Sequence, residues 1–239
     1  MAYLSSLYIG YITPGRLGEF VKVIYLKSNR GISLSKGFSS VLIDRIFDLY
    51  LLIILGIIGL WQFDILGELT GIYFLLLIVT VGPPFLLFNK RISKKIINIL
   101  FVFTIMKKIK DKVEESFQNF YDSLKELINI KLLLSVFFTF IGYSLFFLQC
   151  FIIAKALSLP IDLITITLFM SISNLISFIP ISISGLGTRD ATLILLFSII
   201  GLKPELAVSY SFFIFIIFFV SGGLLGAISW WIRPLKLKV

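Results

Sequence analysis

The sequence predicts an all-α protein, a polytopic bundle of transmembrane helices in which some helices are broken or re-entrant. Hydrophobic residues make up 58% of the 239 residues, and a mean hydropathy of +1.04 exceeds that of ordinary globular domains. The apolar residues form runs of about 20, the length that a helix needs to cross a bilayer. A charged motif with glycines occurs near each end of the chain, at residues 14–19 and 184–190, which also makes the fold a candidate for an inverted repeat.

The first apolar segments are long enough to cross a membrane as continuous helices. Residues 41–61 and 69–88 each contain about 20 residues, enough for roughly 30 Å of helix. Residues 132–154 form a slightly longer apolar run. We expect all three segments to span the bilayer.

The following segments are shorter and are predicted to form a broken or re-entrant pair. Residues 161–179 are followed by Pro180 and the second glycine motif. Residues 191–200 then offer only about 15 Å of helix, which is half a bilayer. The sequence is compatible with either two crossings or a re-entrant hairpin.

The last apolar segment, residues 206–231, is predicted to span. It ends in aromatic and basic residues typical of a headgroup interface, namely Trp230, Trp231 and Arg233. Gly222 and Gly226 lie four residues apart on it and predict close packing against another helix.

Charge placement predicts the orientation in a cell membrane. Ten Lys and Arg residues lie in the linker 89–131, whereas the loop 62–68 has none and carries Asp64 and Glu68. By the positive-inside rule, the linker and the C-terminus are cytoplasmic in a multi-pass protein. Apolar residues at helical spacing within the linker predict an amphipathic helix resting on anionic lipid, so the basic charge does not indicate nucleic-acid binding.

Composition also excludes several classes of protein. Cys150 is the one cysteine, which excludes an intramolecular disulfide, and histidine is absent. A zinc or haem enzyme is therefore not expected, and we predict no metal and no cofactor. Because no polar block is large enough for a separate catalytic domain, residues 1–239 are predicted to form one transmembrane domain.

Three charges fall at the start of the segment 41–61. Asp44 and Asp48 share a helix face, and Arg45 is close enough to pair with one or both. Charges at membrane depth are retained when they have partners or a polar cavity, so this cluster is a candidate binding site. The alternative is a cluster solvated at the cytoplasmic interface.

The two glycine motifs are candidate binding turns at one shared cavity. Their glycines permit sharp backbone turns, after which a helix N-terminus presents free N–H groups to an anion. An arginine in each motif would add donors suited to phosphate. The predicted turn residues are Pro14, Gly15, Gly18, Gly185 and Gly187, and the arginines are Arg16 and Arg189. The alternative is two ordinary loops that contain glycine.

Taken in order, residues 14–19, 40–48 and 184–190, with a basic linker between the last two, resemble the flippase-like transmembrane family. This family includes the membrane region of bacterial lysylphosphatidylglycerol synthase. The resemblance covers nearly the whole chain and implies movement of a lipid or a lipid-linked polar group between leaflets. The positions that match the family motifs are Glu19, Arg45, Asp48, Arg189 and Asp190.

The resemblance also sets two expectations about what accompanies this domain. Family members have further hydrophobic helices before the first motif, so we expect this chain to be truncated, minimal or dependent on a partner. In the synthase, a separate cytoplasmic domain carries out aminoacyl transfer, and no such domain is recognisable here.

The sequence leaves three kinds of function open. A lipid translocator would bind an anionic or aminoacylated headgroup through the arginines, with Glu19, Asp44, Asp48 and Asp190 balancing the charge. A membrane subunit of a lipid aminoacyl- or glycosyltransferase would use a carboxylate as general base or metal ligand. A scaffold would support a separately encoded enzyme or a homo-oligomer.

Overall fold

The computed structural model describes residues 2–13, 17–65, 122, 130–178, 182 and 185–232. The regular structure in these residues is helical, with no β-strand among them, which confirms the all-α prediction. The helices are α1 (Ala2–Ile12), α2 (Val21–Arg30), α3 (Leu34–Gln62), α4 (Ile130–Ala156), α5 (Leu163–Phe178), α6 (Thr188–Ile199), α7 (Pro204–Ile214) and α8 (Ser221–Ile232). A 3₁₀ segment, Leu17–Phe20, precedes α2, and a π-helical segment, Phe215–Val220, joins α7 to α8.

Helix α3 contains the predicted segment 41–61 but begins earlier, at Leu34. The Ser33 hydroxyl accepts a hydrogen bond from the backbone N–H of Lys36 at 3.3 Å, and this N-cap sets the start of the helix ahead of the apolar run. The 29 residues of α3 correspond to about 44 Å of helix. The three clustered charges therefore lie within a helix rather than at its first turn.

Two helical stretches within the described residues are long and apolar enough to cross a membrane. They are Leu133–Ala156, with 24 residues, and Pro204–Ile232, with 29 residues, and they correspond to the predicted segments 132–154 and 206–231. The predicted segment 69–88 lies outside the described residues, as does most of the linker 89–131.

Helix α8 packs along α1 through its pair of glycines. A Cβ atom at Gly226 would lie 2.5 Å from the carbonyl oxygen of Leu4 and 2.8 Å from Cβ of Tyr8. A Cβ atom at Gly222 would lie 3.0 Å from the ring of Tyr11. The predicted close packing of this glycine pair is thus confirmed. The glycines pack against α1, a helix that was not among the apolar segments predicted from the sequence.

Helices α5 and α6 are two short helices on either side of the second glycine motif. They contain 16 and 12 residues, or about 24 and 18 Å of helix. Phe169 of α5, Phe197 of α6 and Tyr210 of α7 are fully buried, with successive ring centroids 6.2 and 5.6 Å apart. This aromatic row joins the three helices and fixes the position of the turn between α5 and α6.

Candidate functional site

A cavity of about 320 Å³ lies among helices α1, α3, α4 and α5. Its volume is at the lower end of the range for small-molecule sites, about 300 to 1,000 Å³. The wall contains aromatic rings and polar side chains, and the polar groups other than tyrosine are Arg45, Asp48, Thr139, Asn174 and Ser177. A polar cavity among apolar helices is the strongest candidate for a functional site in the described part of the chain.

Arg45 and Asp48 form the charged part of this wall. They lie three residues apart on α3, with Nη2 of Arg45 3.3 Å from Oδ2 of Asp48. Their side chains are 21% and 17% exposed, so neither charge is fully removed from the open space of the cavity. The sequence predicts that Arg45 pairs with one or both neighbouring aspartates, and the structure pairs it with Asp48.

Asp44 has a different partner and a different environment. Its carboxylate lies 3.2 Å from Nζ of Lys22 on α2, and its side chain is 45% exposed. It falls outside the set of described residues that line the cavity. Of the three clustered charges, two therefore face the cavity and the third links α2 to α3. A substrate-binding role for Asp44 stays a prediction.

The second glycine motif forms the turn that leads into α6. Gly185 and Gly187 have φ angles of +76° and +81°, which glycine adopts without strain. At Gly185 a Cβ atom would also lie 2.8 Å from Cβ of Ser177. The turn ends where the backbone N–H of Arg189 donates to the Gly185 carbonyl at 2.8 Å. Both the backbone angles and the close packing require glycine here.

The N-terminus of α6 already holds an anionic group from the protein itself. One oxygen of the Asp190 carboxylate accepts a hydrogen bond from the backbone N–H of Gly187 at 2.9 Å, and the other accepts from the Ser211 hydroxyl. A carboxylate in this position stabilises the positive end of the helix dipole. The sequence predicts that a headgroup occupies this place, and that role stays a prediction for Asp190.

Arg189 is buried, with 1% of the residue exposed. Its Nε donates to the Ser211 hydroxyl at 3.1 Å, and its Nη2 donates to the Ser211 carbonyl at 3.3 Å and to Asp190 at 3.5 Å. The guanidinium also lies over the ring of Phe219, 5.1 Å from its centroid. These contacts join the start of α6 to α7 and to the π-helical segment. Direct headgroup binding by Arg189 stays a prediction.

The Arg189 network and the cavity are contiguous. Ser177 lines the cavity and packs against Gly185. On the opposite side, Tyr11 lines the cavity and its ring centroid lies 5.0 Å from that of Phe219. A change at the glycine turn can therefore reach the cavity wall through Ser177 or Tyr11.

The first glycine motif is described only in part. Its backbone N–H at Gly18 donates to the hydroxyl of Thr13 at 2.7 Å, and a Cβ atom at Gly18 would lie 2.4 Å from the Ile9 carbonyl oxygen. Glu19 lies in the 3₁₀ segment Leu17–Phe20. Its side chain is outside the description, as are Pro14, Gly15 and Arg16. The binding and turn roles of these four residues stay predictions.

The sequence did not single out several residues that the structure brings to these sites, and four of them are instructive. Ser211 and Phe219 contact Arg189, and Tyr11 and Asn174 line the cavity. Asn174 had a usable signal, because an amide within the apolar run 161–179 is a polar group at membrane depth. Ser211 had none, since serine is common in membrane helices.

Among the described residues, no three His, Cys, Asp or Glu side chains come together in a way that could hold a metal ion. The charged groups at the cavity are instead a guanidinium and a carboxylate, which suit hydrogen-bonded recognition of charged organic groups. The expected lack of a metal and a cofactor stays a prediction.

Comparison with known proteins identifies the family. The sequence model of the lysylphosphatidylglycerol synthase TM region matches residues 1–226. The chain belongs to this family. The family membership inferred from the three ordered motifs is therefore confirmed.

Its relatives include three archaeal membrane proteins of the UPF0104 group. MJ1078 of Methanocaldococcus jannaschii is 26% identical over 236 residues, which cover 95% of this chain and 94% of the relative. MJ1595 of the same organism is 24% identical over 240 residues, covering 95% and 71%. PH1989 of Pyrococcus horikoshii is 27% identical over 246 residues, covering 93% and 73%. This chain is accordingly an integral membrane protein of the lysylphosphatidylglycerol synthase TM family, and no solved structure matches it.

Proposed function

We propose that this chain moves a phospholipid, or a lipid-linked polar group, between the leaflets of a membrane. The observation that carries the proposal is the cavity lined by Arg45 and Asp48 among apolar helices. A headgroup that crosses a bilayer needs a place where its charges leave water without losing their partners. The family description supports a lipid substrate, because it refers to the synthase of a charged phospholipid.

The headgroup occupies the cavity while the acyl chains stay in the bilayer. The Arg45 guanidinium supplies forked donors that fit a phosphate, and Asp48 balances its charge. On the lipid side, large apolar side chains of α4 are exposed, among them Phe137, Phe138 and Phe140. Acyl chains can pack on such a surface without entering the protein.

The orientation in the membrane is part of the proposal. The chain is multi-pass, with the C-terminus and the linker 89–131 in the cytoplasm, because the basic residues of these regions contrast with the acidic loop 62–68. Single-cysteine variants at Asp64 and Lys236, tested for labelling by a membrane-impermeant maleimide in intact and permeabilised cells, measure this orientation. Cys150 is replaced by serine in both variants, so that labelling reports only the introduced thiol.

Lipid movement is measured with purified protein in liposomes that carry fluorescent lipids. Dithionite bleaches only the outer leaflet, so a protein that moves lipids exposes the inner-leaflet signal as well. We expect fast loss of the inner-leaflet signal with the native chain and loss of this activity in Arg45→Gln. Lys203→Gln is the matched control, because Lys203 is exposed in the loop before α7.

Two outcomes would contradict the proposal. One is the absence of lipid movement when the native chain is folded and monodisperse. The other is full activity of Arg45→Gln. The first result would favour a membrane subunit or scaffold of a lipid transferase, and copurification with a separately encoded enzyme would then be the next measurement. The second would show that the headgroup does not depend on the cavity that Arg45 lines.

A further inference from the structure

Helix α5 carries six polar side chains, and five of them are hydroxyls that donate hydrogen bonds within the protein. Four of these hydroxyls donate to backbone carbonyls, and the fifth, on Thr165, donates to the Asp162 carboxylate. The sixth polar group is the amide of Asn174, which makes no hydrogen bond to any residue in the described part of the chain. Asn174 is thus the exception on a helix whose other polar side chains are bonded to protein.

Asn174 lies on the wall of the cavity. It is half-buried and lines the cavity together with Ser177, which follows one turn later on α5. Close packing of α5 on α3 holds it there, since a Cβ atom at Gly59 of α3 would lie 3.1 Å from Cβ of Leu168. The amide is therefore held at the cavity by the packing of two helices rather than by a hydrogen bond of its own.

A primary amide at this place requires partners of both kinds. It has two N–H donors and one carbonyl acceptor. In apolar surroundings, an amide without hydrogen bonds costs free energy, which a ligand removes when it bonds to both sides of the amide. The position of Asn174 on an open cavity makes such a ligand the natural partner.

A second neutral group on the same wall has the same requirement. Thr139 of α4 lines the cavity and is half-buried. Its hydroxyl also makes no hydrogen bond to a residue that the structure describes. A hydroxyl both donates and accepts, as an amide does. Two helices, α4 and α5, therefore bring neutral groups of matching chemistry to one cavity.

We infer that Asn174 and Thr139 bind hydroxyl groups of the headgroup, so that the lipid in the cavity carries a polyol such as glycerol or a sugar. This inference rests on the proposed function and narrows its substrate class. A ligand hydroxyl donates and accepts, and so satisfies both kinds of group on the amide. A phosphate oxygen only accepts, an ammonium only donates, and a trimethylammonium does neither.

The cavity has room for a phosphate and a small polyol together. Its volume of about 320 Å³ equals that of about ten water molecules in the liquid. A phosphoglycerol group, with about ten non-hydrogen atoms, is of comparable size. The phosphate binds Arg45, as in the proposed function, and the hydroxyls bind the neutral part of the wall.

The test compares two lipids that have the same charge and differ in their hydroxyls. Phosphatidylglycerol has hydroxyls on its headgroup, and phosphatidylpropanol is the same phosphodiester without them. Fluorescent forms of both are used in the liposome assay. With the native chain, we expect phosphatidylglycerol to move about tenfold faster, because a site built to bond a hydroxyl discriminates against the analogue that lacks it. Equal rates, or faster movement of phosphatidylpropanol, would overturn the inference.

Asn174→Leu should remove most of this preference without lowering stability. Leucine is close to asparagine in size, and the amide has no partner among the described residues, so the melting temperature should stay level or rise. The ratio of the two rates should fall by about fivefold. An Asn174→Leu protein that keeps the preference, or that slows both lipids by the same factor, would contradict a binding role.

Thr167→Val is the matched control for this variant. It removes a hydroxyl of α5 that donates to the Leu163 carbonyl at 2.8 Å, and Thr167 is not among the described residues that line the cavity. It should keep the native preference. Thr139→Val is the second test variant. It should reduce the preference in the same direction as Asn174→Leu, and it decides the outcome if Asn174→Leu does not fold.

A binding measurement separates this inference from the proposed translocation. Short-chain forms of the two lipids are added to the detergent-solubilised protein, and the shift of its melting temperature is recorded. A larger shift with the phosphatidylglycerol form, lost in Asn174→Leu, supports the inference even when no lipid moves between leaflets. Equal shifts, or no shift with either lipid, would overturn it.

Glycerol phosphate without acyl chains distinguishes a lipid from a water-soluble ligand in the same measurement. We expect it to shift the melting temperature less than the short-chain lipid does at the same concentration, because it lacks the acyl chains that pack on the apolar helices. A shift as large as that with the lipid would overturn the assignment of the hydroxyl groups to a lipid headgroup.

Discussion

Two arginine–aspartate pairs in this chain have the same composition but different surroundings. Arg45 and Asp48 lie one helical turn apart within α3, face a cavity and are both about one-fifth exposed, at 21% and 17%. Arg189 and Asp190 are adjacent at the start of α6, where Arg189 is 1% exposed and contacts Ser211 and Phe219. The first pair has room for a ligand, whereas in the second the Arg189 guanidinium is surrounded by protein and only the Asp190 carboxylate, at 32%, is exposed.

A charge within an apolar helix is therefore not by itself a binding group. A buried arginine whose donors are directed to protein oxygens mainly fixes the geometry of its neighbours. In a partly exposed ion pair, either side chain can exchange its partner for a charged group of a ligand at a lower cost in free energy. We therefore expect variants of Arg189 to affect stability most and variants of Arg45 to affect activity most.

Arg189→Ala should have the largest effect on stability. It removes the hydrogen bonds to Ser211, the ion pair with Asp190 and the contact with Phe219. We expect the free energy of unfolding to fall by about 3 to 5 kcal/mol, because several hydrogen bonds from a charged group, each worth about 1.5 to 3 kcal/mol, are lost together with the packing of a buried side chain. Titration with SDS of the protein in detergent measures this change.

The control for this variant is Lys203→Ala, which removes an exposed charge and should change stability by less than about 0.5 kcal/mol. An Arg189→Ala protein as stable as the control would show that the network does not hold α6 to α7. It would also move Arg189 back among the candidates for headgroup binding.

Gly185→Ala should have the next largest effect, because it alters the turn that lies between the two pairs. Alanine is strained at a φ of +76°, and its Cβ would lie 2.8 Å from Cβ of Ser177 on the cavity wall. We expect a loss of about 2 to 4 kcal/mol together with slower lipid movement. The same SDS titration and the liposome assay measure the two effects.

Gly201→Ala separates backbone strain from packing at this turn. Gly201 has a φ of +75°, but a Cβ atom there would meet no described heavy atom within 4 Å. It should therefore cost only the strain, about 1 to 2 kcal/mol. Equal losses for the two variants would mean that contact with Ser177 contributes nothing.

Arg45→Gln should lower the free energy of unfolding less than Arg189→Ala does. Relative to that loss of stability, it should reduce lipid movement more. Both partners of the pair are partly exposed, so we expect a loss of about 1 kcal/mol. Lipid movement should fall by about tenfold or more, corrected for the amount of folded protein. A stability loss as large as that of Arg189→Ala would show that both pairs mainly stabilise the fold.

Asp162→Ala should have the smallest effect and serves as a reference carboxylate outside both sites. Asp162 accepts hydrogen bonds from the Thr165 hydroxyl at 2.5 Å and from the backbone N–H of Ile164 at 3.1 Å, at the start of α5. Loss of such a cap costs about 0.5 to 1 kcal/mol. Transport should stay at the native level, and reduced transport without reduced stability would contradict this reference role.

The Asp162 carboxyl should also make the stability of the protein depend weakly on pH. The hydrogen bonds from Thr165, set against some loss of hydration, lower the pKa of the Asp162 carboxyl below its ordinary value. The folded state therefore binds this proton less readily than the unfolded state, and the contribution is present above the ordinary pKa of about 3.9. This contribution to stability is lost as the pH falls through the lowered pKa. Measured from neutral to acidic pH, the free energies of unfolding of the native and Asp162→Ala proteins should therefore converge below that pKa.

Much of the fold could be predicted from the sequence because apolar runs and helical spacing are local signals. The segments 132–154 and 206–231 match described helices closely, and the packing of Gly226 was predicted from the spacing of two glycines. The start of α3 was placed too late, because its N-cap at Ser33 precedes the apolar run. Helix α1 was missed because it is too short to give a signal of its own.

The helical class, the family motifs and the residue types placed at membrane depth follow from the sequence alone, since each depends on composition or on neighbours along the chain. Which charges share a space follows only from the packing of the helices: Arg45 joins Asp48 at the cavity, Asp44 joins Lys22, and Arg189 meets Ser211. Helical spacing permits several pairings of comparable reach. The packing of distant helices then selects one of them, because burial makes every unpaired charge costly.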